Sequence, residues 1–167
     1  QNRFRLLRGG SRTALPRQQT LKSLVDWSYD LLTEEERRLL RALSVFSGGC
    51  TLDAVEALGV DLGDQDPLEV LARLVDKSLL QMEAAEPDAH EPHYQMLETI
   101  RQYARDRLVE AGEEERCRRL HLEYCLRFAR RAERELLGPR QRAWLDRVEA
   151  NFDNLRAALE FARQQDP

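Results

Sequence analysis

The sequence is poor in the features that mark membrane-spanning and disulfide-stapled proteins. No apolar run approaches the roughly 18 to 20 residues needed to cross a bilayer, and no apolar signal segment lies near its start. The three cysteines, Cys50, Cys117 and Cys125, include no CxxC pair, and their odd number argues against a disulfide framework. We therefore expect a soluble cytoplasmic protein with ordinary buried thiols.

The short motifs of common active sites are also absent. There is no G-x-x-x-x-G-K-[ST], no G-x-G-x-x-G and no G-x-S-x-G, so neither phosphate cradling nor acyl transfer has a motif here. His90, His93 and His121 have no histidine partner at helical spacing, which disfavours a metal site. The acidic runs at 34–36 and 113–115 fall at predicted helix starts, where the macrodipole favours negative charge. We do not expect this chain to be an enzyme.

Positive charge is concentrated in the first 19 residues. The chain has a net charge of −4, yet residues 1–19 hold five arginines and no acid, so the remainder carries −9. Duplex affinity depends on Lys and Arg neutralising backbone phosphates. We therefore do not expect the folded part to bind DNA directly.

The beginning of the chain predicts a connector and then a helix. Without an initiating Met, the chain is expected to be an internal piece of a longer protein, and residues 1–19, with glycines and Pro16 between arginines, predict an irregular connector that follows a missing region. Thr20 is then expected to cap a helix that runs to about Leu32. The residues expected on its apolar face are Leu21, Leu24, Val25, Trp27, Tyr29, Leu31 and Leu32.

Three more helices are predicted from start and stop signals. Thr33 and Glu36 form a T-x-x-E capping box, which starts a second helix. A short third helix is expected over 51–59, with Thr51 as its cap. Asp66 followed by Pro67 gives the fourth helix a cap and a proline at its first position.

A change of period after the fourth helix predicts a β-hairpin. Leu80 and Met82 alternate with polar residues, as do Tyr94 and Met96, and the acidic segment 84–92 lies between the two strands. Helices followed by one small hairpin predict a winged helix over residues 20–97. Its third helix, fourth helix and wing are all acidic, and we expect these surfaces to repel a duplex.

The remainder of the sequence has a helical period. Linking helices are predicted over 98–137, with Gly112 between them, and Gly138-Pro139 ends the second. Residues 138–167 then predict the first α-hairpin of a helical repeat, in which Trp144, Leu155 and Leu159 are candidates for the repeat interface. The expected fold class is mainly α: a winged helix with a two-stranded hairpin, followed by antiparallel TPR-like helices.

Several stretches in this order resemble one known family. They are RFRLL at 3–7, GGSR at 9–12, LPRQQTL at 15–21, DWSYDLL at 26–32, LSVFSGG at 43–49, LVDKSL at 74–79, MLETIRQYA at 96–104, WLDR at 144–147 and DNLRAAL at 153–159. Together they resemble bacterial STAND-class regulators of the AfsR/LuxR-associated type, which have NB-ARC-like ATPase cores. The resemblance covers nearly the whole chain.

The resemblance implies a place between two other regions. In such proteins a nucleotide-binding core that holds ATP or ADP precedes the winged helix, TPR-like repeats follow it, and the winged helix packs on the nucleotide site in the resting state. The implied partners are the protein's own core, its downstream repeats and a protein or small-molecule inducer, while this chain holds no cofactor. Arg12, Arg17, Glu98 and Arg101 are the candidate interdomain contacts.

One motif of the family can be placed on this sequence. The Met-His-Asp signature of the class matches Met96, Leu97 and Glu98. Leu97 cannot donate the hydrogen bond that the family's histidine gives to the nucleotide. Glu98 could still act at the domain interface with Arg101, or Leu97 could be a core residue and Glu98 a helix N-terminal charge.

Three hypotheses for function follow. The first is an intramolecular regulatory module that couples the nucleotide state of the missing core to a helical-repeat sensor. The second is a DNA-binding winged helix, and the third is a protein-binding or peptide-binding TPR-like scaffold.

Overall fold

The computed structural model describes residues 14–83 and 91–165, with side chains from residue 22 onward. The chain divides into two compact units, Gln1–Leu32 and Thr33–Pro167. The elements are α1 (Ala14–Asp30), α2 (Glu34–Leu43), α3 (Leu52–Ala57), α4 (Pro67–Asp76), β1 (Gln81–Glu83), β2 (His93–Gln95), α5 (Glu98–Glu110), α6 (Glu114–Glu135), α7 (Gln141–Ala150) and α8 (Phe152–Gln165). The predicted fold class, mainly helical with a two-stranded hairpin, is confirmed.

The first unit corrects the predicted start of the first helix. Helix α1 begins at Ala14 and not at Thr20. Pro16 lies in its first turn, where a missing N–H costs nothing because that group has no intrahelical partner. The predicted apolar face is also wrong in part, since Leu24 and Trp27 are 56% and 64% exposed and Leu31 lies beyond the helix.

The starts of α2 and α4 confirm the predicted caps. The Thr33 N–H donates to Glu36 Oε2 at 2.9 Å and the Glu36 N–H donates to Thr33 Oγ1 at 3.3 Å, which completes the capping box. The carboxylate of Asp66 accepts from the Leu68 N–H at 2.8 Å. Helix α3 also starts at its predicted place, although the Thr51 side chain makes no capping hydrogen bond.

The core of the second unit is built mainly from leucines of α2, α4 and α5. Helix α2 packs against both α4 and α5, and α3 lies between α4 and α6. The fully buried leucines are Leu39, Leu40, Leu58, Leu71, Leu74 and Leu108. Each contributes about 1.5–3 kcal/mol by leaving water, so helix packing supplies most of the stability of this unit.

The hairpin closes one side of this helical core. Strands β1 and β2 are antiparallel, with Met82 opposite Tyr94, and Tyr94 also exchanges backbone hydrogen bonds of 2.9 and 2.8 Å with Cys50. Tyr94 is buried as its alternation predicts, but Met82 is 53% exposed. At Gly49 (φ 81°) a Cβ would lie only 2.6 Å from the Tyr94 carbonyl oxygen, so this approach of loop to strand requires glycine.

Helices α6, α7 and α8 form a second packed group. Helix α6 ends before Gly138-Pro139 as predicted, and it packs mainly against α8. Its buried residues are Cys117, His121, Cys125 and Ala132, whereas Leu120, Tyr124, Phe128 and Leu136 are only half-buried. Leu145 is 52% exposed, so α7 buries Trp144 alone.

One side chain joins this group to the winged helix. Asn154 of α8 is 1% exposed, and its Oδ1 accepts from the N–H groups of Ser47 at 2.9 Å and Gly48 at 3.4 Å. Its Nδ2 donates to the Gly49 carbonyl at 2.9 Å. A single amide therefore satisfies three backbone groups of the loop that follows α2.

A buried carboxylate joins α2 to α4. Glu36 is 0% exposed, and besides its capping role it pairs with Arg73 Nε at 3.1 Å and Lys77 Nζ at 2.5 Å. Burial raises the pKa of Glu36, but hydrogen bonds from Lys77, the Thr33 backbone and Arg73 outweigh burial and hold the pKa below its usual range. The carboxylate is therefore ionised, and both cations depend on it.

Removing the amide of Asn154 should loosen the contact between α8 and the loop. We expect Asn154→Ala to lower the free energy of unfolding by about 2–4 kcal/mol, because it leaves buried N–H and C=O groups without partners. Asn151→Ala is the matched control: Asn151 makes one side-chain bond to its own helix, at 2.9 Å to the Arg147 carbonyl, and should cost about 1 kcal/mol or less. Urea unfolding measures both, and equal losses would contradict the role given to Asn154.

Neutralising Glu36 should destabilise the domain in a pH-dependent way. We expect Glu36→Gln to cost about 1–3 kcal/mol at neutral pH, below the value for fully buried pairs because the side chains of Arg73 and Lys77 are 38% exposed. The pKa of Glu36 is lower in the folded state than in the unfolded state. The stabilisation by its carboxylate is therefore complete above the pKa of the unfolded state and is lost as the pH falls through the pKa of the folded state.

The difference between wild type and Glu36→Gln should therefore shrink as the pH falls below 4.5, the usual pKa of a glutamate, in urea titrations. Glu69→Gln, which removes an exposed first-turn carboxylate of α4, is the control with the same charge change. A difference for Glu36→Gln that stays constant with pH would count against an ionised Glu36.

Candidate functional site

Helix α4 and the hairpin present the outer surface of the winged helix. Val70, Leu71 and Leu74 face the core, so the opposite side of α4 is free. Its exposed residues are Leu68, Glu69, Ala72 and Asp76. This face therefore combines two carboxylates with two apolar side chains.

The two cations of α4 lie beside that face and are tethered. Arg73 and Lys77 both bind Glu36, and Arg73 also donates to the side-chain oxygen of Gln65. Each has a side chain that is 38% exposed, so each retains a surface toward solvent. The buried carboxylate fixes where they point.

The hairpin stands next to α4 in sequence but its tip is not described. Glu86, Asp88 and His90, which the sequence places in the wing, lie outside the described residues, and Glu91 is exposed. His93 on β2 is half-buried, and burial lowers its pKa despite the opposing charge of Glu83. At neutral pH the imidazole of His93 is therefore uncharged.

The segment that matches the Met-His-Asp signature lies at the start of α5. Leu97 is 50% exposed, so the interpretation of Leu97 as a core residue is wrong. The Glu98 carboxylate pairs with Arg101 Nε at 2.7 Å and Nη2 at 2.8 Å, and this hydrogen bonding lowers the pKa of Glu98. Arg101 Nη1 also lies 3.4 Å from the Ser44 carbonyl, which anchors the pair to the end of α2.

A cavity of about 240 Å³ opens beside this pair, between the loop after α2, strand β2 and α8. Arg101 and Asp153 bring opposite charges to its wall, and Phe46 and Tyr94 bring apolar surface. The structure therefore brings Met96 and Arg101 together at one site, while Glu98 lies at its edge through the ion pair.

The remaining predicted contacts are scattered. Arg12 and the Arg17 side chain lie outside the described residues. Trp144 is 2% exposed and packs on Phe128 at 5.8 Å, whereas Leu155 is half-buried and Leu159 is 63% exposed. Their roles as interdomain and repeat contacts stay predictions.

The cysteines and His121 are packing residues. All three cysteines are buried, and burial raises the pKa values of Cys50 and Cys125 to about 12, which keeps both thiols protonated. Burial lowers the pKa of His121 to about 4, and its ring meets Phe46 edge-on at 4.8 Å. The predicted buried thiols are confirmed.

The sequence did not predict the roles of two side chains, Glu36 and Asn154. Glu36 was identified only as a capping residue. Arg73 and Lys77 are spaced i,i+4 and so lie on the same side at the end of α4, which indicated that one anion could pair with both. Asn154 stood within a quoted motif, but nothing in its local pattern indicated a bond to residues more than 100 positions away.

No helix within residues 14–83 and 91–165 combines the length and the apolar character of a membrane span.

Comparison with known domain families identifies the first part of the second unit. A family model described as "Winged helix-turn-helix domain" matches residues 32–109, which extend from the start of α2 to the end of α5. No solved structure matches the chain.

Similar sequences occur in mycobacteria. Two proteins named "Putative HTH-type transcriptional regulator", from Mycobacterium tuberculosis and Mycobacterium bovis, are 42% identical over 163 residues, which is 96% of this chain and 18% of each relative. An uncharacterised protein of M. tuberculosis is 39% identical over 115 residues, or 67% of this chain and 28% of that protein. The chain thus spans less than a fifth of the length of the two regulators.

These comparisons correct the expectation about partners. We expected no direct DNA binding from the negative charge of the winged helix, but a helix-turn-helix domain and relatives named as helix-turn-helix regulators point to DNA. That expectation rested on the net charge of the folded part and of its third helix, fourth helix and wing, and net charge does not report the arrangement of individual side chains. Residues 32–109 thus match a winged helix-turn-helix domain, and nearly the whole chain is similar to proteins named as transcriptional regulators.

Proposed function

We propose that the chain is the DNA-binding winged-helix part of a cytoplasmic transcriptional regulator. The observation that carries this proposal is the winged helix-turn-helix domain at residues 32–109, with α4 and the hairpin open to solvent. The mycobacterial relatives, which are named as helix-turn-helix regulators, support the same function.

Helix α4 is the element that would enter the major groove, because it is the second helix of the helix-turn-helix pair and precedes the hairpin. Its carboxylates Glu69 and Asp76 can accept hydrogen bonds from cytosine N4. Leu68 and Ala72 offer apolar contact to thymine methyl groups. This face of α4 is therefore suited to contacting base edges. It carries little positive charge with which to bind the phosphates of the DNA backbone.

Adding a cation to this face should strengthen duplex binding. We expect Ala72→Lys to raise the affinity for a 30-base-pair duplex several-fold and to steepen the salt dependence by about one phosphate contact, a slope change of about 0.9. Fluorescence anisotropy between about 50 and 200 mM NaCl measures both quantities. Ala72 is exposed on α4, so the substitution leaves the core intact.

Val109→Lys is the matched control, since Val109 is 52% exposed and lies on α5, outside the groove-facing surface. It adds the same charge and should change the affinity little. Failure of the wild-type chain to bind any duplex at 50 mM NaCl would contradict the proposed function. An equal effect of both lysines would show that α4 is not the contact.

We further propose that the domain also serves an intramolecular role in a STAND-type ATPase, whose nucleotide is held outside this chain. The segment that matches the Met-His-Asp signature supports this second function, because Leu97 is 50% exposed and the Glu98–Arg101 pair beside it is fixed by an ion pair. The chain itself would bind neither ATP nor ADP and would catalyse no reaction. Helices α7 and α8 would begin a TPR-like array.

Hydrogen exchange in the full-length protein tests this role. We expect amides over 96–103 to differ in protection between the ADP-bound state and the state with a non-hydrolysed ATP analogue, because a ligand shifts a conformation only through differential contact. Leu97→Ala should reduce that difference, whereas Leu126→Ala, at a leucine of equal exposure on α6, should leave it unchanged. Identical protection in both nucleotide states would exclude the coupling.

A further inference from the structure

The charge of the chain is reversed in one continuous stretch. Residues 126–147, from the second half of α6 into α7, hold seven arginines against three carboxylates and so carry a net charge of +4 in a chain of net −4. This local excess lies outside the winged helix and was hidden in the negative total.

Four of these arginines form one ridge on α6. Arg127, Arg130, Arg131 and Arg134 follow i, i+3, i+4, i+7 spacing and are all exposed. They lie opposite the buried Cys125 and Ala132, and so on the outer side of the helix. The ridge is about 10 Å long at 1.5 Å per residue, which is close to three base-pair steps of 3.4 Å.

Helix α7 extends the ridge into a surface. Arg142 is exposed, and the guanidinium groups of Arg131 and Arg147 both lie over the Trp144 ring, at 5.3 and 5.1 Å from its centroid. These cation–π contacts hold the two helices' guanidinium groups in place. We name Arg127, Arg130, Arg131, Arg134, Arg142 and Arg147 the arginine surface.

Most of this charge has no ion-pair partner among residues 14–83 and 91–165. In the described part of the chain, the ion pairs within 4.0 Å do not include Arg127, Arg130, Arg134 or Arg142, whereas Arg140 nearby is paired with Glu135 at 2.6 Å. Like charges this close repel one another, and an external anion relieves that repulsion. Guanidinium groups in particular match the geometry of phosphate oxygens.

The aromatic residues indicate which nucleic acid fits. Single strands bind through bases stacked on exposed aromatic rings, but Trp144 is 2% exposed and Phe128 is half-buried. A rigid ridge without a stacking platform is suited to the backbone of a duplex. The surface would hold the phosphates without reading the sequence.

We propose that the arginine surface is a second DNA contact, which supplies phosphate neutralisation that the acidic face of α4 lacks. This inference rests on the proposed DNA-binding function and deepens it: α4 contacts base edges, and α6 and α7 contact the backbone of duplex DNA. The contribution of the surface is electrostatic and independent of sequence.

A triple substitution tests the surface in the same anisotropy experiment. Arg127→Gln, Arg130→Gln and Arg134→Gln combined should reduce the slope of log affinity against log salt by about 2.7 and the affinity at 50 mM NaCl by at least about ten-fold. The reduction should be equal for duplexes of unrelated sequence, because phosphate contacts carry no sequence information.

The matched control removes three exposed arginines elsewhere. Arg119→Gln, Arg156→Gln and Arg163→Gln combined change the net charge equally, and Arg119 and Arg156 have side chains that are 65% and 64% exposed. This variant should keep the wild-type slope within about one contact. Thermal unfolding verifies that both triple variants fold.

A gain of affinity provides a test that does not depend on losing three side chains. Glu133→Gln removes an exposed carboxylate within the ridge and should increase duplex affinity, whereas Glu160→Gln on α8 should not. A loss that is the same for both triple variants, or no gain from Glu133→Gln, would overturn the arginine surface as a contact.

The outcomes separate the two proposals. If the wild-type chain binds duplex and responds to Ala72→Lys but not to the arginine variants, the DNA-binding function stands and the arginine surface fails. If the wild-type chain binds no duplex at 50 mM NaCl, the DNA-binding function fails and the arginine surface fails with it.

Discussion

The winged helix depends on one carboxylate that has no contact with solvent. Glu36 closes the first turn of α2 and, from the same two oxygens, pairs with Arg73 of α4 and with Lys77, which follows the last residue of α4. A lone buried carboxylate would be strongly unfavourable, so the arrangement is stable only while both cations reach it. The position of α4 against α2 is therefore set by a charge requirement as well as by leucine packing, and the orientation of any surface that α4 presents follows from it.

Charge in this chain is separated by element. The cations of α4 are directed toward a buried anion, its outward face retains Glu69 and Asp76, and free arginines are gathered on α6 and α7. The net charge of the whole chain is −4, and this single number conceals both the acidic face of α4 and the arginines of α6 and α7. Duplex binding depends on the local potential along a surface, so a net negative charge of the whole chain does not exclude the proposed contact with DNA.

Local signals predicted most of the fold. The capping box at Thr33, the Asp66-Pro67 start and the Gly138-Pro139 break each act within a few residues, and the structure confirms all three. The start of α1 was placed six residues late because Pro16 was interpreted as a breaker, although the first turn of a helix tolerates it. Prediction from local sequence signals thus fails mainly where one residue type, such as proline, occurs both in loops and in the first turn of a helix.

The candidate site was less predictable because it depends on contacts between distant segments. Asn154 and the loop after α2 are more than 100 residues apart, and no periodicity in either segment indicates that they meet. The exposure of Leu97 likewise follows from how α5 leaves the hairpin. The arginines of the ridge have i, i+3, i+4, i+7 spacing in the sequence. Only the structure shows that they lie on the exposed side of α6, opposite its buried residues.

The two tryptophans give the chain a built-in optical probe for each of its compact units. Trp27 is 64% exposed on α1, so its emission reports an aqueous environment, whereas Trp144 is 2% exposed and lies against two guanidinium groups and Phe128. A ligand that draws Arg131 or Arg147 away from the indole ring would alter the quenching of Trp144 and leave the signal of Trp27 unchanged. Occupancy of that side of the molecule can therefore be followed without a label.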